Sequence, residues 1–179
     1  SFQSHEMLLE EEEEGGDGTG MTTVSKAILG KQQGGTLTGA ARFLTVRFGL
    51  FPFLARDVKT LSTGEIRKVL LVKALAQRPR LLILDHAFDG LDVPSRQALQ
   101  ELVSKTLRGF RPDILVQGVD ARATEHTQVV LISHRPQEEM VDEMEIVSVF
   151  RKDGSLQTIP RQGRTGEEIF RMAERIMMM

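Results

Sequence analysis

Four residues near the middle of the chain, Ser62-Thr63-Gly64-Glu65, have the types and spacing for anion chemistry. A hydroxyl, a glycine and the start of a helix together offer free backbone N–H groups and the positive end of the helix dipole. The glycine also lets a phosphate approach the backbone closely. Downstream, Asp85 ends an apolar run. A carboxylate at the carboxyl end of a strand can hold Mg²⁺, directly or through water. His86 comes next, and an imidazole can accept a proton near neutral pH. It lacks a carboxylate's second oxygen, and protonated it would pair with Asp85. Taken singly, Ser62 also reads as a helix cap and Asp85 as a turn residue.

These residues need elements to hold them. Ser62 or Thr63 caps a helix whose first turn carries Glu65. Ile66, Val69, Leu70 and Ala74 give that helix an apolar stripe, and Leu71, Val72 and Leu75 widen it, so it should be mostly buried. Pro79 ends it. Leu81 to Leu84 is a continuous apolar run of strand length, which predicts a strand covered on both faces, as in a parallel sheet. Val93-Pro94-Ser95-Arg96 opens another helix, with Leu99, Leu102, Val103 and Leu107 as its stripe and Gly109 closing it. Gln128 to His134 reads as a second buried strand followed by a helix over 136–144. Ile114-Leu115-Val116 suggests a short strand inside an insertion-like stretch, 108–127.

Upstream, Glu10 to Glu14 and the glycines that follow predict a solvated loop over 8–20, because successive glutamates repel one another. Thr22 or Thr23 caps a short helix through Ala27-Ile28-Leu29, and Gly34-Gly35 interrupts. Ala40, Phe43, Leu44 and 46–48 predict a second amphipathic helix ending at Gly49, then an apolar turn over 50–54 that contains Pro52. At the other end, Glu145 to Phe150 and Leu156 to Ile159 flank Asp153-Gly154, a strong hairpin signal. A last helix begins at Thr165-Gly166-Glu167-Glu168 with Ile169, Phe170, Met172 and Ile176 apolar, and 177–179 fray.

The stretch 61–92 resembles the heart of an ABC-type ATPase domain. Leu61 to Glu65 looks like that family's signature motif, Leu81 to Asp85 like its Walker B strand, and Gly90-Leu91-Asp92 like its D-loop. Joined to Phe88-Asp89-Gly90-Leu91-Asp92-Val93 and Ser95-Arg96-Gln97, the motif looks most like the first half of tandem molybdenum-transport/photorepair ATP-binding proteins. The resemblance implies an α/β fold, the C-terminal part of a P-loop NTPase, with a helical signature subdomain and a small C-terminal hairpin plus helix. On this reading 1–60 holds the end of a core strand, the acidic loop and the helical subdomain. Residues 61–179 hold the signature helix, Walker B strand, D-loop, switch-histidine strand, hairpin and last helix.

The family pattern also implies roles. Two such domains close head to tail on two ATPs. Ser62, Thr63 and Gly64 would cover the γ-phosphate of an ATP held by a partner domain, Glu65 would belong to the same nucleotide-binding motif, and Asp92 would meet that partner. At this domain's own site, Asp85 would serve Mg²⁺ and His134, as the switch histidine, would bond the γ-phosphate. Gln3 would be the Q-loop glutamine that senses the metal and the phosphate. The implied cofactors are ATP and Mg²⁺. The implied partners are a second ABC ATPase domain, in the same or another chain, and membrane transporter subunits.

Two positions depart from the pattern. The phosphate loop G-x-x-x-x-G-K-[ST] does not occur. The one Gly-Lys pair, Gly30-Lys31, has Ser25 and Gln32 where Gly and Ser or Thr should stand, and no strand precedes it. The simplest expectation is that the first strands and the phosphate loop precede Ser1, since the chain does not start with Met. The second departure is His86, where the family's catalytic glutamate stands. It reads as a non-catalytic replacement, and with the phosphate loop missing the chain alone should bind ATP poorly and hydrolyse it negligibly.

Composition sets the outer limits. With 179 residues, 40% of them hydrophobic, the chain can bury one core. A net charge of −2 gives no basis for direct nucleic-acid binding. The absence of cysteine removes disulfides and thiolate metal sites. No apolar run reaches the roughly 18 residues of a membrane span, and no signal peptide is visible, which suits an intracellular place, an organelle interior included. Two rivals stay open: a non-catalytic ABC-like interaction module, and another signature-bearing NTPase of the chromosome-maintenance or repair kind. The latter would carry a long coiled coil, and 1–60 shows no heptads.

Overall fold

The computed structural model describes residues 22–30, 37, 39–77, 79–109 and 127–178. The acidic loop, Gln3, the Gly34-Gly35 break and the suggested strand at 114–116 lie outside these residues.

Helix α1, Val24–Leu29, is capped by Thr23, whose hydroxyl accepts from the Lys26 N–H at 3.3 Å. The first N–H groups of a helix have no partner within it. Here the Val24 and Ser25 N–H groups donate to the carbonyls of Arg56 and Leu54, at 2.9 and 3.0 Å. Helix α2, Gly39–Arg47, buries Ala40, Leu44 and Thr45 and gives way at Gly49, whose φ is +68°. A 3-10 turn over Phe51–Phe53 carries Pro52, and a second, Val58–Thr60, leads into helix α3, Thr63–Ala76. Helices α1 and α2 both pack on α3.

Helix α3 ends before Pro79. Its buried face is Ile66, Val69, Leu71 and Val72. Ala74, expected in the stripe, is exposed instead. Which positions at the edge of a stripe are buried depends on the neighbouring elements, here α1 and α2, which pack on α3.

Strand β1, Leu81–Asp85, runs parallel to β2, Gln128–Ile132, with Leu81 opposite Gln128 and Asp85 opposite Ile132. Parallel strands need a crossover, and helix α4, Val93–Leu107, belongs to it. Gly109 stops α4 at φ +81°, as its position predicted. Among the described residues the sheet is covered on one face only. Leu82 and Leu84 are each 4% exposed, whereas Leu81, Ile83, Val130 and Ile132 are 49%, 58%, 45% and 44% exposed. This corrects the expectation of two buried strands. Among the described residues the two strands form the whole of this sheet, and the helices pack against one side.

After β2 the expected helix over 136–144 shrinks to α5, Pro136–Glu139, because Met140 turns to extended backbone. The hairpin is as predicted: β3, Ile146–Phe150, pairs antiparallel with β4, Leu156–Pro160. Gly154, at φ +81°, supplies the left-handed residue of a three-residue turn, and Asp153 accepts from the Ser155 N–H at 2.8 Å. Helix α6, Gly166–Met178, starts on a capping box between Thr165 and Glu168. It buries Ile169, Ala173 and Ile176. Met172 is exposed, contrary to the predicted stripe, and the helix continues through 177–178 rather than fraying.

The main core joins α1 to α4 with the inner face of β1 and β2. A second, small core of Val149, Ile159, Ala173 and Ile176 lies between the hairpin and α6.

Candidate functional site

The start of α3 is built from its own sequence. The Ser62 hydroxyl accepts from the Glu65 N–H at 3.3 Å and donates to Glu65 Oε2 at 2.8 Å, and the Ser62 N–H donates to the same oxygen at 2.7 Å. This is a complete capping box. The Ser62 backbone bond lowers the Glu65 pKa most, helped by the Ser62 hydroxyl and by Arg56 and Lys68, against a smaller effect of burial. So Ser62 is a helix cap, as its plainer reading had it, and its side chain is exposed at the end of the helix dipole as well. A phosphate arriving here must take the hydroxyl from a carboxylate that already holds it.

Gly64 makes a close approach, and its neighbour is a loop of the same chain. A Cβ at position 64 would lie 2.8 Å from the Gly90 carbonyl oxygen. Gly90 itself has φ +71° and lies under the Arg67 side chain. The N-terminal end of α3 and the loop 86–92 are therefore packed backbone to backbone.

That loop is pinned from several sides. Phe88 and Leu91 are buried anchors. Arg67 donates to the Asp89 carbonyl, and Arg96 Nε donates to the Leu91 carbonyl at 3.1 Å. Asp92 caps α4 by accepting from the Ser95 N–H at 2.8 Å and pairs with Lys68 Nζ at 2.6 Å. The Lys68 bond, then the Ser95 bonds, lower its pKa to about 2, well outweighing partial burial. Asp92 is thus engaged in fixing α4 to α3, with its side chain still partly open to solvent.

At the carboxyl ends of β1 and β2 the structure brings together Asp85, His86 and His134. His86 Nδ1 is 2.5 Å from Asp85 Oδ1, the pairing anticipated for a histidine beside that carboxylate. The His86 backbone is left-handed, φ +47°, and its N–H donates to the Ile132 carbonyl at 3.0 Å, one step beyond the ladder. His86 and His134 stack with ring centroids 4.9 Å apart and planes 27° from parallel. Ser133 accepts from the Arg135 N–H at 2.8 Å, which turns the chain sharply after β2.

Reading the sequence missed the Asp92 cap of α4 and its pairing with Lys68, the His86–His134 stack, the Gly64–Gly90 approach, and a pair between Asp89 and Arg135. The only advance signal for the pair was its opposite charges, each beside a motif residue, and it needed the β1–β2 register to be seen. Gln3 lies outside the described residues.

Magnesium is usually held by one or two carboxylates plus substrate phosphates, with water completing the shell. Among the described residues no group of three or more metal-ligating side chains occurs. The exposed Asp85 carboxylate fits the single-carboxylate case, one of its oxygens being taken by His86.

No family model matches the chain. Over 58 residues it is 59% identical to the ABC transporter ATP-binding protein ModF of Escherichia coli (strain K12), covering 32% of this chain and 12% of that protein. It is 41% identical over 71 residues to the zinc import ATP-binding protein ZnuC of Alcanivorax borkumensis, covering 40% and 27%. It is 32% identical over 115 residues to the zinc transport system ATP-binding protein TroB of Treponema pallidum, covering 63% and 41%. The chain spans well under half the length of each. A solved structure of an inward-facing metal-chelate type ABC transporter superposes with a TM-score of 0.48 at 15% identity, covering 96% of this chain and 58% of that one. In sequence, the relatives of this chain are the ATP-binding proteins of ABC transporters.

Proposed function

We propose that this chain is the signature-bearing part of an ABC-type ATP-binding domain that works with a phosphate loop supplied from elsewhere. The observation that carries it is the convergence of Asp85 and His134, through His86, at the carboxyl ends of two parallel strands, where open α/β sheets place ligand chemistry. Ser62, Thr63 and Gly64 would cover the γ-phosphate of an ATP held by a partner domain, with Glu65 completing the nucleotide-binding motif and holding Ser62. Asp85 would take Mg²⁺, His134 the γ-phosphate, Gln3 both, and Asp92 would stand at the partner-facing loop. Mg²⁺ would supply charge neutralisation at the phosphates. The chain's residues supply donors and orientation.

The 179 residues contain no phosphate loop, so the main source of phosphate affinity is absent from them. The chain alone would bind ATP poorly and hydrolyse it negligibly. A finer reading, the first half of a tandem molybdenum-transport/photorepair protein, is supported by Phe88-Asp89-Gly90-Leu91-Asp92-Val93 and by the ModF relative. Membrane transporter subunits and an intracellular place, peripheral to a membrane, belong to the same proposal. No helix of the described residues is long and apolar enough to cross a membrane. His86, tied to Asp85 where a glutamate is expected, favours a second reading: a non-catalytic module that keeps the docking surfaces.

Calorimetry of Mg·ATP separates these. The chain is titrated alone and mixed with an intact ABC-type domain that carries a phosphate loop. Binding contributed by the chain only in the mixture, and lost in Ser62→Ala, is the expected result. Ser62→Ala is the cleaner probe, because a larger residue at 64 would strike Gly90. Binding by the chain alone, unchanged in Ser62→Ala, would overturn the proposal. An ATP-independent complex would favour the module.

A further inference from the structure

We infer that Arg135 is a positioning residue for His134, and that the relay Arg67–Asp89–Arg135 fixes His134 relative to the Ser62 end of α3. The use of this relay rests on the proposed function; its existence does not.

The problem it solves is local. His134 stands two residues beyond the end of β2 and two before a helix of only four residues, Pro136–Glu139, whose cap position makes no side-chain bond. So short a helix has little stability of its own. The Ser133 turn fixes the backbone at one point. The Arg135 side chain adds a constraint that reaches in two directions. Its guanidinium bonds the Asp89 carboxylate in the pinned loop, and Nε lies 3.5 Å from Glu139 Oε1 in α5. The Glu139 side chain is only 5% exposed, so a cation beside it is required. Arg135 Nε is buried without a hydrogen bond, which leaves the electrostatic attraction to Glu139 as its compensation.

Asp89 is held twice. Arg67, from α3, takes its carbonyl, and Arg135 takes its carboxylate. Burial alone would raise the Asp89 pKa. The bond and charge of Arg135, with His134 and Arg67 nearby, lower it on balance. One loop residue thus joins the helix bearing Ser62 to the residue that follows His134. A guanidinium suits the task because its rigid fork can meet two carboxylates at once, which an ammonium cannot do with the same geometry. Further ties hold the same frame: Gln100 of α4 donates to the Glu138 carbonyl, and Arg96 lies 3.6 Å from Glu138.

Removing Arg135 outright would strand Glu139 and risk unfolding, so the test uses Asp89→Asn, with Asp89→Glu as rescue. Two readouts apply: the ring proton–carbon resonances of His134 and His86, and amide hydrogen exchange across 87–92 and 133–136. In Asp89→Asn both ring signals should move and exchange in both segments should quicken on the order of tenfold, the size of one charge-assisted hydrogen bond. Asp89→Glu should restore most of this. Arg108→Gln, which breaks the ion pair of Arg108 with Glu143, should move neither. Unchanged ring signals in Asp89→Asn, or faster exchange at 87–92 alone, would overturn the relay. If the relay passes while wild-type chain adds no ATP binding in the mixture, only the proposed function fails. If ATP binding appears and Asp89→Asn moves nothing, only the relay fails.

Discussion

Gly64 stands where two explanations for a glycine compete. Its motif suggests room for a phosphate; its surroundings show room for the Gly90 carbonyl. The two are compatible, but only the second acts in the chain by itself. It gives a prediction whose sign is not obvious. Glycine inside a helix is about 1 kcal/mol worse than alanine, so Gly64→Ala should stabilise α3 on propensity alone. Against that, the new Cβ would lie 2.8 Å from a backbone oxygen rather than from a mobile side-chain tip. Gly90 cannot readily retreat, since it is left-handed and lies under Arg67. Overpacking of this kind costs about 1–3 kcal/mol. The clash should win, and Gly64→Ala should lower the urea midpoint with an unchanged slope. A raised midpoint would show that α3 and the loop do not touch in solution. The capping at Ser62 was legible because a hydroxyl and an acid three residues apart speak to each other locally. The Gly64–Gly90 contact was not, because it joins residues distant in sequence.

At the scale of elements, the sheet shows where a pattern stops being informative. An apolar run such as Leu81 to Leu84 fixes a strand, and the strand is present. It does not fix how many faces are covered, because that depends on what packs on each side. Here the helices cover Leu82 and Leu84 and leave Leu81 and Ile83 open. The same limit explains α3 and α6. Periodicity placed both helices, but Ala74 and Met172 fall at the margin of their stripes, where the neighbouring element decides burial. The hairpin and the starts of α1 and α6 were legible, since Gly154, Thr23 and Thr165 act within a few residues of themselves, whereas Asp92, read only as a loop residue, caps α4. The one-sided sheet predicts an asymmetry along a single strand. Leu84→Ala should cost about 2–5 kcal/mol, the loss of a buried side chain plus a cavity. Ile83→Thr keeps a β-branched residue on the open face and should change stability by no more than about 0.5 kcal/mol. Chemical denaturation of the two variants checks this. A cost at Ile83 comparable to that at Leu84 would mean that something covers the open face in solution.

Across the whole molecule, the two cores divide the chain unequally. The larger one gathers helices, loop and strands around the candidate site, so that Ser62, Asp89, Asp85 and His134 share one frame. The smaller one, between the hairpin and α6, rests on Val149, Ile159, Ala173 and Ile176. A unit of under about 40 residues rarely buries enough surface to hold itself folded. It must therefore borrow stability from its junction, and the described junction centres on Arg161. That side chain donates to the Val141 carbonyl at 3.2 Å and to Asp142 Oδ1 at 2.7 Å, while its own N–H donates to the Glu145 carbonyl at 2.8 Å. A Cβ at position 166 would lie 3.4 Å from the Met140 side chain across the same junction. Proteins open in units, and the least supported unit opens at the lowest free energy. The amides of β3 and β4 should therefore exchange faster than those of β1 and α3. In Arg161→Ala, which keeps the backbone bond and removes the side-chain ones, the gap should widen. Hairpin exchange should rise on the order of tenfold, as expected for losing one or two hydrogen bonds of a charged group, while β1 and α3 stay as they were. Equal acceleration in both units would mean that they unfold as one. The hairpin and α6 would then bear on the geometry of Asp85 and His134, which a separate unit does not.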